Sequence, residues 1–355
     1  MFSTETLFLG IFLVFIVSIL LFDLLIVGRN SHIVSFKEAA GWTITWVSLS
    51  IAFAGFIYLH GEKVHGIETM EHLARIVKDY TPHINLSGLE YPEALALYRK
   101  TMTIDYLSGY LIEEILSIDN LFVIIMILSA FSVKPESYKP VLFWGILGAI
   151  VLRFIFIFVG AALIHKFEWI LLVFGGYLVY AGIKMFVNRN KEEKIEPQNH
   201  PLVKFLSKRF RVFPRYVGNK FFIRKKGILY ITPLFIVLMM VEFTDLIFAT
   251  DSIPAIFSVT RDPYVVFFSN IFAILGLRSL FFLLIHVVDM FHYLKIGISI
   301  LLTFVGVKLL AHTWLESVGF KSVHSLYFIL FVLVASVALS LLFPKKEVAA
   351  ISNEQ

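Results

Sequence analysis

Apolar runs of about 20 residues recur along the whole chain, separated by shorter stretches in which the charges gather. An α-helix of that length crosses the hydrocarbon core of a bilayer, so each run predicts a membrane-spanning helix. Nine are predicted: Leu7–Val27, Trp42–Leu59, Tyr106–Phe131, Val141–Ile164, Trp169–Val187, Ile228–Val259, Val265–Val288, Phe291–Leu310 and Leu326–Phe343. The expected fold class is an all-α polytopic membrane protein. The first run reads as an uncleaved anchor, because no Lys or Arg precedes it, Asp23 lies within it, and Arg29 and Lys37 follow.

Charge orients these spans. The segment Asn188–Gly227 carries twelve Lys or Arg against three Glu, whereas Gly61–Asp105 carries five basic and seven acidic residues. Basic loops stay in the cytoplasm, so the first is expected inside and the second outside. That choice also places Lys134, Lys139, Lys295 and the Pro344-Lys345-Lys346 tail inside, giving an N-out, C-in topology. The chain then divides into an N-terminal two-helix hairpin (1–60), an external loop (61–105), three spans (106–187), a basic cytoplasmic loop (188–227), three more spans (228–312), and a last span with its tail (313–355). One short helix is expected near Glu68–Lys78, and the external loop is assigned no chemistry.

Composition agrees and removes alternatives. With 58% hydrophobic residues and a mean hydropathy of +0.83, a soluble globular domain is excluded. There is no Cys, which rules out disulfides, thiol redox catalysis and thiolate metal sites. The basic pI of about 9.1 follows from the loop topology rather than from a nucleic-acid partner.

Two segments repeat. Glu113-Glu114-Ile115-Leu116-Ser117-Ile118-Asp119-Asn120 matches Asp245-Leu246-Ile247-Phe248-Ala249-Thr250-Asp251-Ser252, with two carboxylates six apart and a small polar residue after the second. The next span keeps the register in Leu152-Arg153 and Leu277-Arg278, and the one after in Gly182-Ile183-Lys184 and Gly306-Val307-Lys308. A unit of three spans enters the membrane from opposite sides on each occurrence, so inverted-topology repeats are expected, with a site near mid-bilayer.

The candidate site follows from cost. Glu113, Asp119, Glu242, Asp245 and Asp251 fall within predicted spans, where each unpaired charge costs at least ~2.5 to 3.5 kcal/mol. Five facing lipid would be untenable, so they are expected to face a polar interior, share protons or share cations. Hard oxygen ligands without thiolate suit manganese, magnesium or calcium. Asn120, Ser252 and Thr250 join the metal-site candidates; Pro254 cannot donate a backbone hydrogen bond to the Thr250 carbonyl, which leaves that oxygen available beside Asp251. Six residues of helix turn about 120° and climb about 9 Å, so each pair lines one cavity only if its helix bends or the acids form successive stations. Arg153 and Arg278 are expected to compensate charge, and the alternative is that the acids only pair with them. Glu114 is assigned either to the cluster or to the membrane surface, and Asp23 either to the pathway or to the interface. Lys184 and Lys308 are expected to snorkel to the headgroups. Met239 and Met240 are expected to pack rather than ligate, and His165, His286, His292 and His312 to sit at the interface.

These residues resemble the TerC family, most closely its Alx-type bacterial members. The resemblance lies in Gly109-Tyr110-Leu111-Ile112-Glu113, in Ser117-Ile118-Asp119-Asn120, in Val241-Glu242-Phe243-Thr244-Asp245 through Asp251-Ser252-Ile253-Pro254-Ala255-Ile256-Phe257, and in Ala273-Ile274-Leu275-Gly276-Leu277-Arg278. It implies a multi-pass protein of the bacterial inner membrane within the LysE-like transporter superfamily. It also implies manganese efflux, an alkaline-pH response and, by name, tellurite resistance. Glu113, Asp119, Glu242, Asp245 and Asp251 are then the acidic transport residues. The sequence departs from the Alx-type pattern in having Glu114 where Lys is usual and in its longer external loop. Manganese enters as transported ion, with no prosthetic group expected and no enzymatic activity. The expected partners are membrane lipid and a divalent metal ion, with a second copy of the chain or the secretion machinery as further candidates, and no nucleic acid. Competing readings are an accessory factor that metalates or assembles exported proteins, and a tellurite-directed redox modulator.

Overall fold

A computed structural model describes residues 4–22, 34–82, 84–167, 169–188, 200–285, 293–311, 314–315, 320 and 322–343. Asp23, His286, His292, His312 and the Lys345-Lys346 tail lie outside the described residues, as do the side chains of Asp119, Phe122, His165, Asp251 and Lys295.

The apolar runs fold as helices: α1 (Thr4–Phe22), α2 (Phe36–His60), α3 (Glu62–His65), α4 (Met70–Tyr80), α5 (Tyr91–Ala130), α6 (Tyr138–Lys166), α7 (Ile170–Asn188), α8 (Pro201–Arg209), α9 (Pro233–Phe257), α10 (Pro263–Leu284), α11 (Leu294–Leu310) and α12 (Ser322–Leu342). Among the described residues six helices are long and apolar enough to cross a membrane, with shorter apolar stretches in α1 and α11. The chain is an all-α polytopic membrane protein. Exposed Ile44, Ile51, Val151, Ile155, Phe331 and Val334 give the outer helices an apolar surface that only lipid can solvate. In contrast, α10 is buried on nearly every face, packed by α2, α5, α6 and α9.

Helix starts follow local chemistry. Thr232 and Asp262 cap α9 and α10, accepting hydrogen bonds from Phe235 N and from Tyr264 N, and each precedes a proline that needs no donor partner in the first turn. The expected external helix is present as α4, capped by Thr69.

Two boundaries differ from expectation. The helix that contains the third predicted span begins at Tyr91, well before Tyr106, because the polar stretch ahead of the apolar run continues the helix without a break. At 1.5 Å per residue, α5 is about 60 Å long, roughly twice the thickness of the hydrocarbon core. The sixth span begins at Pro233, not Ile228. Ile228–Ile231 instead forms β2 of an antiparallel hairpin with β1 (Phe222–Lys225), Phe222 opposite Ile231. Its two-residue turn has Lys226 at φ 49° and Gly227 at φ 79°, the left-handed pair that tight hairpins require. Tyr216 Oη donates to the Phe131 carbonyl at 2.7 Å, Ser137 Oγ to Asn219 Oδ1 at 2.8 Å, and Thr232 Oγ1 to the Lys220 carbonyl at 2.7 Å. These bonds fasten the segment to the ends of α5, α6 and α9.

Most helix packing runs between the two triplets α5–α6–α7 and α9–α10–α11: α5 lies against α9 and α10, α6 against α9 and α10, and α7 against α11. The α7–α11 contact is the closest, and glycines make it so. A Cβ on Gly306 would stand 2.7 Å from both Gly175 O and Val179 N, and one on Gly182 would stand 2.8 Å from Ser299 O and Thr303 N. Since these neighbours are backbone atoms, Gly182→Val and Gly306→Val are each expected to destabilise the protein by about 1–3 kcal/mol. Thermal unfolding in detergent checks this, and an unchanged midpoint for either variant contradicts the packing.

Candidate functional site

Arg153, one of the largest fully buried side chains, lies at the meeting of α5, α6, α9 and α10. Its Nη1 donates to Glu113 Oε1 and, at 2.5 Å, to Asn270 Oδ1, while Nη2 donates to Asp245 Oδ1 at 3.1 Å. Ser117 Oγ, one turn along α5, also donates to Glu113 Oε1 at 3.3 Å. A single guanidinium therefore joins the first carboxylate of each repeated segment, one from either triplet. The pairing is local necessity, since charge this deep is tolerated only with a partner.

Two further carboxyls surround this clamp. Glu242, one turn before Asp245 on α9, lies against Gly148 of α6, where any Cβ would overlap the carboxylate. Glu114 faces the other side of α5: its Oε1 stands 3.9 Å from where a Cβ of Gly276 on α10 would be, beside Trp46 of α2. It belongs to the interior rather than to the membrane surface, though not to the Arg153 clamp. Buried acceptors remain without a hydrogen-bond partner on Glu113 Oε2, Asp245 Oδ2, Glu242 Oε2 and Glu114 Oε2. Gly148→Ala is expected to push the Glu242 carboxylate out of this groove, read as loss of whatever ion affinity the site has while the protein still folds.

The remaining predicted residues divide. Asn120 and Ser252, which follow Asp119 and Asp251 in the repeated segments, are both buried, and Asn120 Nδ2 and Ser252 Oγ are without hydrogen-bond partners. Thr250 is exposed; its hydroxyl donates to the Ile247 carbonyl at 2.6 Å and lies 3.4 Å from Tyr177 Oη. The helix continues through Pro254 to Phe257. Arg278 does not join the Arg153 clamp; it lines a small cavity of about 30 Å³ with Asp245, Gly145 and Val241. Among the described residues, no three His, Asp or Glu side chains stand together in a way that would hold a metal ion. Met239 packs with the Leu206, Ile231 and Ile236 cluster and Met240 is in the main core.

Lys184 is exposed over the Tyr180 ring at 5.8 Å, as snorkelling predicts, but Lys308 is not. Lys308 is buried and interacts with Asp105 of α5. Asp105, in the N-terminal half of α5, supplies a counter-charge, so the ammonium has no need to reach the headgroups.

Two groups of functional interest were not anticipated. Asn270 is an isolated amide inside an apolar helix, a signal the sequence carries. The second is His65, buried between two acids at the end of the bundle to which the external segment belongs. His65 Nδ1 lies 2.8 Å from Glu5 Oε1 and Nε2 lies 2.8 Å from Asp262 Oδ2, with the ring stacked on Tyr80. Burial works against its charge, but Asp262 and then Glu5 outweigh it and raise the imidazole to about 9. Nothing in the sequence links three residues so far apart.

Comparison with known proteins follows the same residues. Positions 98–348 match the family model described as integral membrane protein TerC family. A Salmonella typhi protein named as a candidate membrane-bound redox modulator, Alx, is 44% identical over 302 residues, covering 85% of this chain and 84% of the relative. Its namesake in Escherichia coli K12 is 42% identical over 302 residues, with 85% and 84% covered. The Myxococcus xanthus membrane protein STKORF319 is 41% identical over 299 residues, with 84% and 81% covered. No solved structure matches the chain.

Proposed function

The chain belongs to the TerC family of integral membrane proteins, and from that premise we propose that it exports a divalent metal ion, manganese, across the bacterial inner membrane. The observation that carries this reading is the Arg153 clamp. One buried cation bridges carboxylates from both triplets, with buried carboxylate oxygens left over on Glu113, Asp245 and Glu242. That excess of hard acceptors favours a cation, and the acids would gather around a transported ion when the guanidinium gives way to it. Oxygen donors in a chain without Cys favour manganese over thiophilic metals.

The triplets act as inverted repeats around the clamp, and metal release is balanced by protons returning to the acids, since protonation destroys an oxygen-donor site. Asp119 and Asp251 supply further stations. The basic hairpin segment faces the cytoplasm in this reading, which makes the chain N-out and C-in. The relatives' name favours a second reading, redox modulation. With no Cys in the chain, such a role would be exercised through metal supply to redox proteins rather than through thiol exchange.

The test is manganese flux into proteoliposomes carrying a trapped fluorescent chelator. The protein is expected to move manganese, and Glu113→Gln, Asp245→Asn and Asp251→Asn are each expected to slow it about tenfold or more, as a charged contact contributes about 1.5–3 kcal/mol. Absence of flux above empty liposomes, or full flux in all three variants, overturns the reading.

A further inference from the structure

Within that transport reading, we infer that Arg278 is the second counter-ion of the acid pair, replacing Arg153 between Asp245 and Glu113 when the carrier faces the opposite side. Four observations carry it. First, the pair held by Arg153 is symmetric in sequence: Glu113 and Asp245 open the two repeated segments, so exchanging the triplets returns the same two acids and turns Arg153 into Arg278.

Second, the packing obeys the same exchange at a place remote from any of these charges. The register that aligns Gly182 with Gly306 also aligns Gly175 with Ser299 and Val179 with Thr303. Gly306 is pressed against Gly175 and Val179, and Gly182 against Ser299 and Thr303. Each contact is the image of the other, so α7 and α11 meet as the two sides of a twofold axis do.

Third, part of the image of the Arg153 berth already lies beside Arg278. The partners of Arg153 are Glu113, Asp245 and Asn270, and in the α6–α10 register the counterpart of Asn270 is Gly145. Exchange therefore calls for Arg278 to meet Asp245, Glu113 and Gly145. Asp245 and Gly145 line the same small cavity as Arg278. A glycine where the other berth has an asparagine puts no side chain into this cavity of about 30 Å³, and since Val241 Cγ1 stands 3.3 Å from where a Gly145 Cβ would be, a guanidinium advances as the Val241 side chain gives way.

Fourth, Arg278 has somewhere to advance from. It also lines a second small cavity with Glu38, Trp46 and Lys139, so it stands between an acid of α2 and the acid of α9. A carrier whose acids are gripped by one arginine in one state faces an electrostatic problem in the other, because separating Arg153 from them strands buried carboxylates. A second arginine entering from the opposite triplet removes that cost, and each state then holds one bridging guanidinium.

The two arginines should consequently bias the carrier in opposite directions. The chain contains no Cys, so single introduced thiols can be labelled without background. Ala149→Cys, in the cavity beside Arg278, and Ile274→Cys, its counterpart on α10, are labelled with a membrane-impermeant maleimide in right-side-out and inverted vesicles. Arg153→Gln is expected to shift the ratio of labelling from the two sides at least about fivefold one way, and Arg278→Gln about fivefold the other way. Glu113→Gln combined with Arg153→Gln keeps the site's charge and is expected to shift the ratio as Arg153→Gln does, which covers the case in which the single variant does not fold. Shifts in the same direction, or none, overturn the inference. Opposite shifts in a protein that moves no manganese would sustain the exchange and refute the cargo; manganese flux without the shifts would do the reverse.

Discussion

Arg153→Ala is expected to lower stability by about 3–5 kcal/mol, the cost of leaving buried carboxylates without their counter-charge. The loss arises less from the bonds removed than from what they leave behind. Glu113 is fully buried and Asp245 nearly so, and neither can turn to water without opening the contact between α5, α6 and α9. The diagnostic comparison is the triple variant Arg153→Ala, Glu113→Gln, Asp245→Asn, which should recover most of the loss although it contains more substitutions. Thermal unfolding in detergent measures both. A triple variant no more stable than Arg153→Ala would mean that the arginine acts by filling space rather than by charge.

The second large effect is a pH dependence set at the other end of the structure. His65 titrates near 6.5 in an unfolded chain and at about 9 in the folded protein, where burial disfavours its charge but Asp262 and Glu5 more than compensate. Because the folded value is the higher one, the stabilisation is fully present below pH 6.5 and is lost as pH rises through 9. The shift corresponds to on the order of 3 kcal/mol. What loosens is the seam joining α1, α3 and the start of α10, since Glu5, His65 and Asp262 come from those three places. Hydrogen exchange should show α3 and α4 well protected at pH 6 and opening between pH 8 and 10. His65→Gln should remove the pH step while leaving the membrane helices folded; a step that persists in His65→Gln assigns it to another group.

Much of the fold is legible in the sequence because one force dominates it. Hydrocarbon excludes every unsatisfied polar group, so a run of 20 apolar residues has almost no alternative to a helix. The same force made Glu113, Asp245 and Arg153 legible as an interior cluster, since a charge in such a run must find a partner. Where that force is absent the reading falters. Residues 91–105 are too polar to be read as part of an apolar run, and nothing in their polarity distinguishes a loop from a continuing helix. Ile228-Leu229-Tyr230-Ile231 adjoins a membrane helix and is equally apolar, so hydropathy absorbs it; the turn at Lys226-Gly227 was the available signal that a strand intervenes. The burial of Lys308 is not legible because its counter-charge, Asp105, lies far away in sequence, in the N-terminal half of α5. The Glu5–His65–Asp262 seam had no signature at all, since its members are ordinary residues brought together only by the completed bundle.

The 40-residue α5 has one more implication. Its only proline is at its first turn, and the helix runs unbroken past Ser108-Gly109 from the end on which α4 packs to the end that Tyr216 fastens at Phe131. A stiff lever anchored at its base reports tilt at its tip. A nanobody raised against α4, which packs on α5, would thus feel movements made at the far end of that helix and, bound tightly, would arrest them. Such a reagent would offer a handle for trapping single states.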